Sequence, residues 1–429
     1  MLPRMTATCS LRTPLRLIRP SLLILAASCA PGDRGATIIT RDSTGVQILE
    51  NHRPVQDDRS AFVDPVPILH IGVVEGDEAL QFQYISGVVR LSDGTIVVAD
   101  RSDEIRWFDS DGRHLRSVGG TGDGPGEFEF IQLLRTLPGD TVLAMSHFGT
   151  RFTWLAPDGA VTRIRTITAP VSIRDGLFAD GALLASRSAG LVPPGTTGRV
   201  QDESVLLALP LTDEHLTTDL GGTPVFEAGA TIPTLGDTIV QLSGTEFFRQ
   251  ALDAGGGRIG ISNMNAPYGA ERHAAAGGDR VYTGNGVEFD VAVYARDGTH
   301  VRSVRIAGSR TPLTDEQIAI WENTLRNPRL SAEQLIRIEG VIAEQTYPEY
   351  LPAYSALMVD SEDHLWVERY RLRRDDAQRW CIFDPDGRWL AEAVTPAGLE
   401  IHAIGADWVL GVWRDENDVE FVRLHRLTR

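Results

Sequence analysis

One short pattern recurs six times along this chain and limits its fold more than any other feature: a tight turn followed at once by an apolar strand. The first copy is Ser92-Asp93-Gly94-Thr95-Ile96-Val97-Val98, and the others occupy 138–144, 179–185, 277–283, 361–367 and 405–411. In four copies a second hairpin follows, with an Asp-Gly pair at Asp111-Gly112, Asp158-Gly159, Asp297-Gly298 and Asp386-Gly387 after alternating apolar residues. Asp-Gly is a strong hairpin signal because the turn needs positive φ, which glycine accepts. The residue before each first-hairpin strand falls at 94, 140, 181, 279, 363 and 407, in steps of 46, 41, 98, 84 and 44. The short steps match the about 40–50 residues of a four-stranded propeller blade. One long step holds a helical insert; the other holds Gly236-Asp237-Thr238-Ile239-Val240, read as an enlarged outer part of the third blade. The expectation is an all-β, six-bladed β-propeller with a two-helix insert between blades, a seven-bladed ring being the alternative. Residues 419–424 supply a last strand, and 67–71 could supply that blade's missing outer strand. Joining the two ends in this way leaves no open edge.

The basic residues remove whole classes of chemistry. All 41 are arginine, so a Schiff-base lysine, a P-loop lysine and the Ser-x-x-Lys acylases are excluded. Hydrophobic residues at 42% and charged residues at 23% are ordinary for a folded protein.

The first 28 residues read as an export signal, with Arg4, Arg12, Arg16 and Arg19 ahead of a short apolar run and small residues before Cys29. Leu25-Ala26-Ala27-Ser28-Cys29 resembles a lipobox, with Ala26 where leucine is preferred. The expected layout is a lipoprotein signal at 1–28, a tether and N-terminal segment at 29–64, and a propeller at 65–428 with the insert at 311–350. Such a chain would sit in the bacterial envelope and meet the membrane only through lipid on Cys29. Loss of 1–28 moves the net charge from −17 to about −21. That charge repels nucleic acid and anionic lipid head groups. Cys9 leaves with the signal and Cys29 would be acylated, so Cys381 has no partner.

Residues 84–131 resemble an NHL-type blade, through Ile96-Val97-Val98-Ala99-Asp100 and then Gly119-Gly120-Thr121-Gly122-Asp123-Gly124-Pro125-Gly126-Glu127-Phe128. Leu410-Gly411-Val412-Trp413-Arg414-Asp415 and Val422-Arg423-Leu424 look like the ends of bacterial six-bladed propeller lipoproteins. The resemblance covers about 37–428 and implies fold, export and six blades, but no reaction. Residues 188–262 depart from it by their length.

Within 311–350, Thr314-Asp315-Glu316-Gln317 and Ser331-Ala332-Glu333-Gln334 are capping boxes. The helices they open would present Ile318, Trp321 and Leu325, and Leu335, Ile338 and Ile342. The pair would either cover blade surface and bury that stripe, or form a lid or docking face.

No His-Glu-x-x-His, Gly-x-Ser-x-Gly, Cys-x-x-Cys or dinucleotide fingerprint is present. The glycine run 119–126 joins strands and leads into no helix, so it reads as a crossover rather than a phosphate cradle. Asp109-Ser110-Asp111-Gly112 and Asp384-Pro385-Asp386-Gly387 lack the distal glutamate of a calcium loop and read as turns. Innermost strands should begin near Gln132, Arg174, Arg272, His273, Tyr354 and His402, with Asp175, Glu271 and Glu400 close by. Arg174, Arg272, His273, Tyr354 and His402 are the candidate channel ligand site, suited to an anion. Neither a metal nor a cofactor is expected. The functional expectation is a rigid scaffold for an envelope protein or a small ligand, with a lactonase-like propeller hydrolase or lyase as the alternative.

Overall fold

The computed structural model describes residues 37–55, 61–167, 171–189, 196–212, 236–253, 259–326, 330–373 and 376–429; the signal segment and Cys29 lie outside them. Each of the six recurring turns joins the first two strands of an antiparallel sheet. The backbone takes positive φ where turn chemistry requires it, as at Gly94 (93°), Asp140 (57°) and Asp363 (62°). All four Asp-Gly pairs close the third and fourth strands, with φ of 82–86° at Gly112, Gly159, Gly298 and Gly387. The first sheet shows the plan: Ile85–Arg90, Ile96–Asp100, Glu104–Phe108 and His114–Gly119, each paired to the next. The later sheets occupy 133–166, 172–265, 273–306, 354–394 and 399–428.

The core shows how these sheets are arranged. Among the described residues there are six clusters of buried side chains, each shared by two neighbouring sheets. Trp107 of the first sheet packs with Leu134 and Val142 of the second. Trp366 and Trp380 of the fifth pack with Leu399 and Val409 of the sixth. One cluster joins the last sheet to the first, through Leu410 and Val422 against Ile96 and Phe108. The six interfaces therefore close on themselves, and the fold is a β-propeller. Burial alternates poorly in the second strands, where Ile96–Asp100 is buried throughout, because both faces of each sheet meet a neighbour.

The ends of the chain complete the ring. Leu69–Ile71 pairs antiparallel with Glu420–Thr428, placing Leu69, His70 and Ile71 opposite Leu424, Arg423 and Val422. The expected strand at 67–71 thus forms the outer edge of the last sheet. Residues N-terminal to it also join the sheets. The hairpin of Ile38–Ser43 and Val46–Asn51 extends the fourth sheet, with Leu49 beside Val304, and Ala61–Val63 extends the fifth. Buried Asn51 fixes that hairpin by donating to the carbonyls of Arg305 and Gly387 and accepting from Trp389 N–H.

The third sheet departs from the plan. Its third and fourth strands, Gly198–Leu209 and Asp237–Asp253, run for 12 and 17 residues, and Ile259–Asn265 adds a fifth. The candidate seventh copy at 236–240 opens the long fourth strand, pairing Asp237 with Ala208 and Val240 with Leu206. Beside this extension lies the insert, helix α1 (Asp315–Leu325) and helix α2 (Ala332–Ala343), each opened by the expected capping box. Tyr268 Oη donates to Gln317 O at 2.6 Å, and Arg199 Nη1 donates to Thr346 O at 2.6 Å. Neither helix has a buried residue, and Ile336 is 74% exposed. The expectation that the pair buries its apolar stripe is therefore met only in part. Polar anchors and the Arg326–Glu339 ion pair hold it in place, with Trp321 resting on Tyr347.

Candidate functional site

Four of the five residues singled out from sequence come together. Arg174 lies on Ser172–Leu177, His273 opens His273–Gly277, Tyr354 opens Tyr354–Val359, and Arg272 directly precedes His273. The rings of His273 and Tyr354 are 5.6 Å apart. Burial lowers the His273 pKa to about 4, helped by the positive fields of Arg174 and Arg272, so its imidazole is neutral at pH 7. The arginines are already engaged. Arg174 Nε donates to Ser186 Oγ at 2.9 Å, and Arg272 Nε donates to Ser243 O at 2.8 Å. Tyr354 Oη donates to Asp290 O at 3.3 Å, and burial raises the phenol's pKa. This group ties the third, fourth and fifth sheets to one another.

His402 sits elsewhere. It lines a cavity of about 520 Å³ whose wall takes residues from the first strands of the first, second, third, fifth and sixth sheets, with Glu368, Arg371, Gln378 and Trp380 added from the rest of the fifth, hence on the ring's axis. Here sequence reasoning missed Arg135, Glu368, Arg371 and Gln378, while Asp175 and Glu400 had been placed only nearby. Each acid is matched to an arginine: Asp175 to Arg135 at 3.5 Å, Glu368 to Arg371 at 3.0 Å, and Glu400 to Arg414 at 3.1 Å. Burial raises the pKa of Asp175, and Arg135 and the N–H of Val359 act against it; the Val359 bond is 3.0 Å and crosses from the third sheet to the fifth. Burial likewise raises Glu368. Burial also lowers His402 to about 4; Glu400 opposes the shift, and Arg135 and Arg414 add to it. The axis thus offers a polar lining whose charges are largely balanced.

A second cavity of about 570 Å³ shares Ser86, Glu400 and His402 with the first and forms its mouth. Three half-exposed rings line it: Tyr84 (50%), Phe130 (47%) and Phe148 (60%). Phe130 and Phe148 lie 4.7 Å apart, from the crossover between the first two sheets and a turn of the second. Both have left-handed backbone, with φ of 53° and 55°, as does His147 at 53°. That conformation costs a non-glycine residue about 1–2 kcal/mol. Nothing in periodicity could flag these loop residues; an aromatic in a tight turn, as in His147-Phe148-Gly149, was the available signal.

Among the described residues, one set of three metal-ligand side chains converges, Asp123, Glu129 and His147. His147 Nε2 lies 2.9 Å from Asp123 and 4.0 Å from Glu129, and its Nδ1 meets Ser146 Oγ at 3.0 Å. Asp123 is 89% exposed, and the set is accounted for as a hydrogen-bonded surface cluster. The Asp109 and Asp384 turns are hydrogen-bonded turns as expected, Asp109 accepting from Asp111 and Arg113 N–H and Asp384 from Arg388 N–H. Burial pushes the thiol of Cys381 up to about 12, leaving it unreactive.

No protein-family model matches this chain. No curated protein matches it either. Solved structures similar to it include a member of the DUF4221 family from Bacteroides vulgatus, with 11% identity, 86% of this chain and 98% of that one covered, and TM-score 0.47. A catalytically inactive virginiamycin B lyase from Staphylococcus aureus, solved with quinupristin, has 11% identity over 83% of this chain and 98% of that one, with TM-score 0.37. The WD40 repeats of RRP9 share 11% identity over 84% and 98%, with TM-score 0.39. At this distance the fold rests on the strand pairing and the closed series of interfaces described above.

Proposed function

We propose that this chain is an exported, lipid-anchored, six-bladed propeller of the bacterial envelope that serves as a rigid binding scaffold, with its small-ligand site on the axis. The observation that carries this reading is the axial cavity and its mouth. They form a continuous concave surface with a few converging polar groups, which is the usual character of a ligand site. The six sheets described support the blade count, and the lipobox-like segment before Cys29 supports the anchor. Acids at the axis are each matched by an arginine, which favours holding a ligand over assembling a multi-carboxylate metal centre. Arg174, Arg272, His273 and Tyr354 lie outside that lining and contribute by tying the third, fourth and fifth sheets together.

A thermal-shift screen of purified protein against a panel of small metabolites tests the site. The reading expects a saturable rise in Tm that His402→Ala or Arg135→Ala removes. Ligands that keep full affinity in both variants would place binding elsewhere. The anchor is tested by growth with radiolabelled palmitate: label should enter the protein and be lost in Cys29→Ser.

A further inference from the structure

The mouth of the axial cavity identifies the class of ligand. We propose that it binds a ring compound bearing one carboxylate, the ring lying on Phe130 and Phe148 and the carboxylate meeting Arg101. This rests on the reading that the axis is a binding site and adds its chemistry. Three observations converge. Phe130 and Phe148 hold exposed rings on left-handed backbone at the rim, an arrangement that adds nothing to the core. Their faces, with Tyr84 lining the same cavity, suit a flat apolar surface of ring size.

The second observation is the state of the charges at the mouth. Asp103 accepts from Thr121 Oγ1 and Ile131 N–H, and Arg414 is held by Glu400 and Glu420. Arg101 differs. Its guanidinium lies 5.9 Å from the Tyr84 ring, and among the described residues no carboxylate pairs with it. One unmatched guanidinium, with its parallel donors, fits a carboxylate. A phosphate ester would call for more than one such cation. The third is the neutral company around it. Gln132 is exposed in the same cavity, and His402 is uncharged at neutral pH, so both can meet hydroxyl or ring heteroatoms. The overall negative charge does not forbid an anion here, since exposed charges beyond about 8 Å are screened at physiological salt.

Two sources share this chemistry, acidic sugars and aromatic acids, and calorimetric titration of the whole mature protein separates them. The probes are D-glucuronate and benzoate, with D-glucose and benzyl alcohol as their uncharged counterparts. One acid should bind saturably and at least tenfold more tightly than its counterpart. Arg101→Gln should erase that tenfold advantage. Phe148→Asn, which keeps a residue tolerant of left-handed backbone, should weaken the acid tenfold or more with Tm unchanged. Equal binding of acid and counterpart, or an unchanged affinity in Phe148→Asn, overturns the proposal. If uncharged compounds bind and His402→Ala abolishes it, the axial site stands and the carboxylate assignment fails. If none of the four compounds binds, the carboxylate proposal fails, and the panel screen alone decides the axial site.

Discussion

The first and third sheets begin from the same turn and finish differently. The first uses 85–119 for four strands of five or six residues, with Ile96, Val97, Val98, Ala99, Ile105 and Phe108 wholly buried. The third spreads from 172 to 265, and its long strands continue past the pairing with Leu183–Ser188. Contact with the insert comes from Arg199 on that added length and from Tyr268 just beyond the sheet, made by single hydrogen bonds to backbone carbonyls. The ring is thus held by apolar interfaces on both faces of every sheet, whereas the elaboration beside it is held by polar contacts that cost little to break. Stability and elaboration occupy separate parts of the molecule.

Substitution should expose this contrast most strongly at tryptophan. Trp366 is fully buried between the fifth and sixth sheets and donates to Asp360 Oδ2 at 2.8 Å. Trp366→Ala should cost about 3–5 kcal/mol in urea unfolding. Trp321→Ala in α1 should cost less than about 1 kcal/mol in the same experiment, because nothing in that helix is fully buried. Equal losses would erase the distinction between ring and elaboration.

Acid should act next. His273 and His402 have folded pKa values of about 4 against 6.5 for the free side chain, so folding disfavours their protonation. The stability this gives is complete above about pH 6.5 and is lost as pH falls toward 4, up to about 3 kcal/mol for each histidine. Asp175 and Glu368, raised by burial, work in the opposite direction as pH rises out of the ordinary carboxylate range. Stability measured against pH should therefore slope less steeply between 6.5 and 4 in the His273→Gln, His402→Gln double variant than in the native protein. Identical slopes would mean that neither ring is held neutral by the fold.

Two glycines give the smallest and most local contrast. A Cβ on Gly119, at φ 136°, would sit 2.5 Å from Asp103 O, so Gly119→Ala should destabilise the crossover of the first sheet by about 1–2 kcal/mol. Gly340 lies inside α2 with nothing within 4 Å of a Cβ. Gly340→Ala should strengthen α2 by about 0.5–1 kcal/mol, read as slower amide exchange in that helix alone.

The hairpins were legible because turn chemistry is local: the Asp-Gly pairs at 111–112, 158–159, 297–298 and 386–387 call for positive φ whatever surrounds them, and all four fall between paired strands. The capping boxes were legible for the same reason. The site was less so. Which side of a first strand meets the axis depends on how each sheet is tilted against its neighbours, so Arg135 could not be told from its neighbours on the strand by alternation. Arg174 and Asp175 are adjacent, yet only Asp175 lines the axial cavity. Glu368, Arg371 and Gln378 reach it from outside the first strands. Phe130 and Phe148 come from two loops that the first two strands of the second sheet bring together, with His147 N–H donating to Glu129 O at 2.7 Å and Gln132 N–H to Met145 O at 2.9 Å, and no sequence period relates them.

Closure of the ring by its first outer strand is the claim on which the rest depends, and amide hydrogen exchange in Leu69–Ile71 tests it most directly. Ile68 N–H donates to Leu424 O at 2.8 Å, and Ile71 is 1% exposed. Paired as the fold requires, Ile68 N–H and those amides of 69–71 that point at the partner strand should exchange only through global unfolding, with the same free energy as those of Glu420–Thr428 opposite. Exchange within seconds at 68–71, while 420–428 stays protected, would mean that the strand does not close the ring.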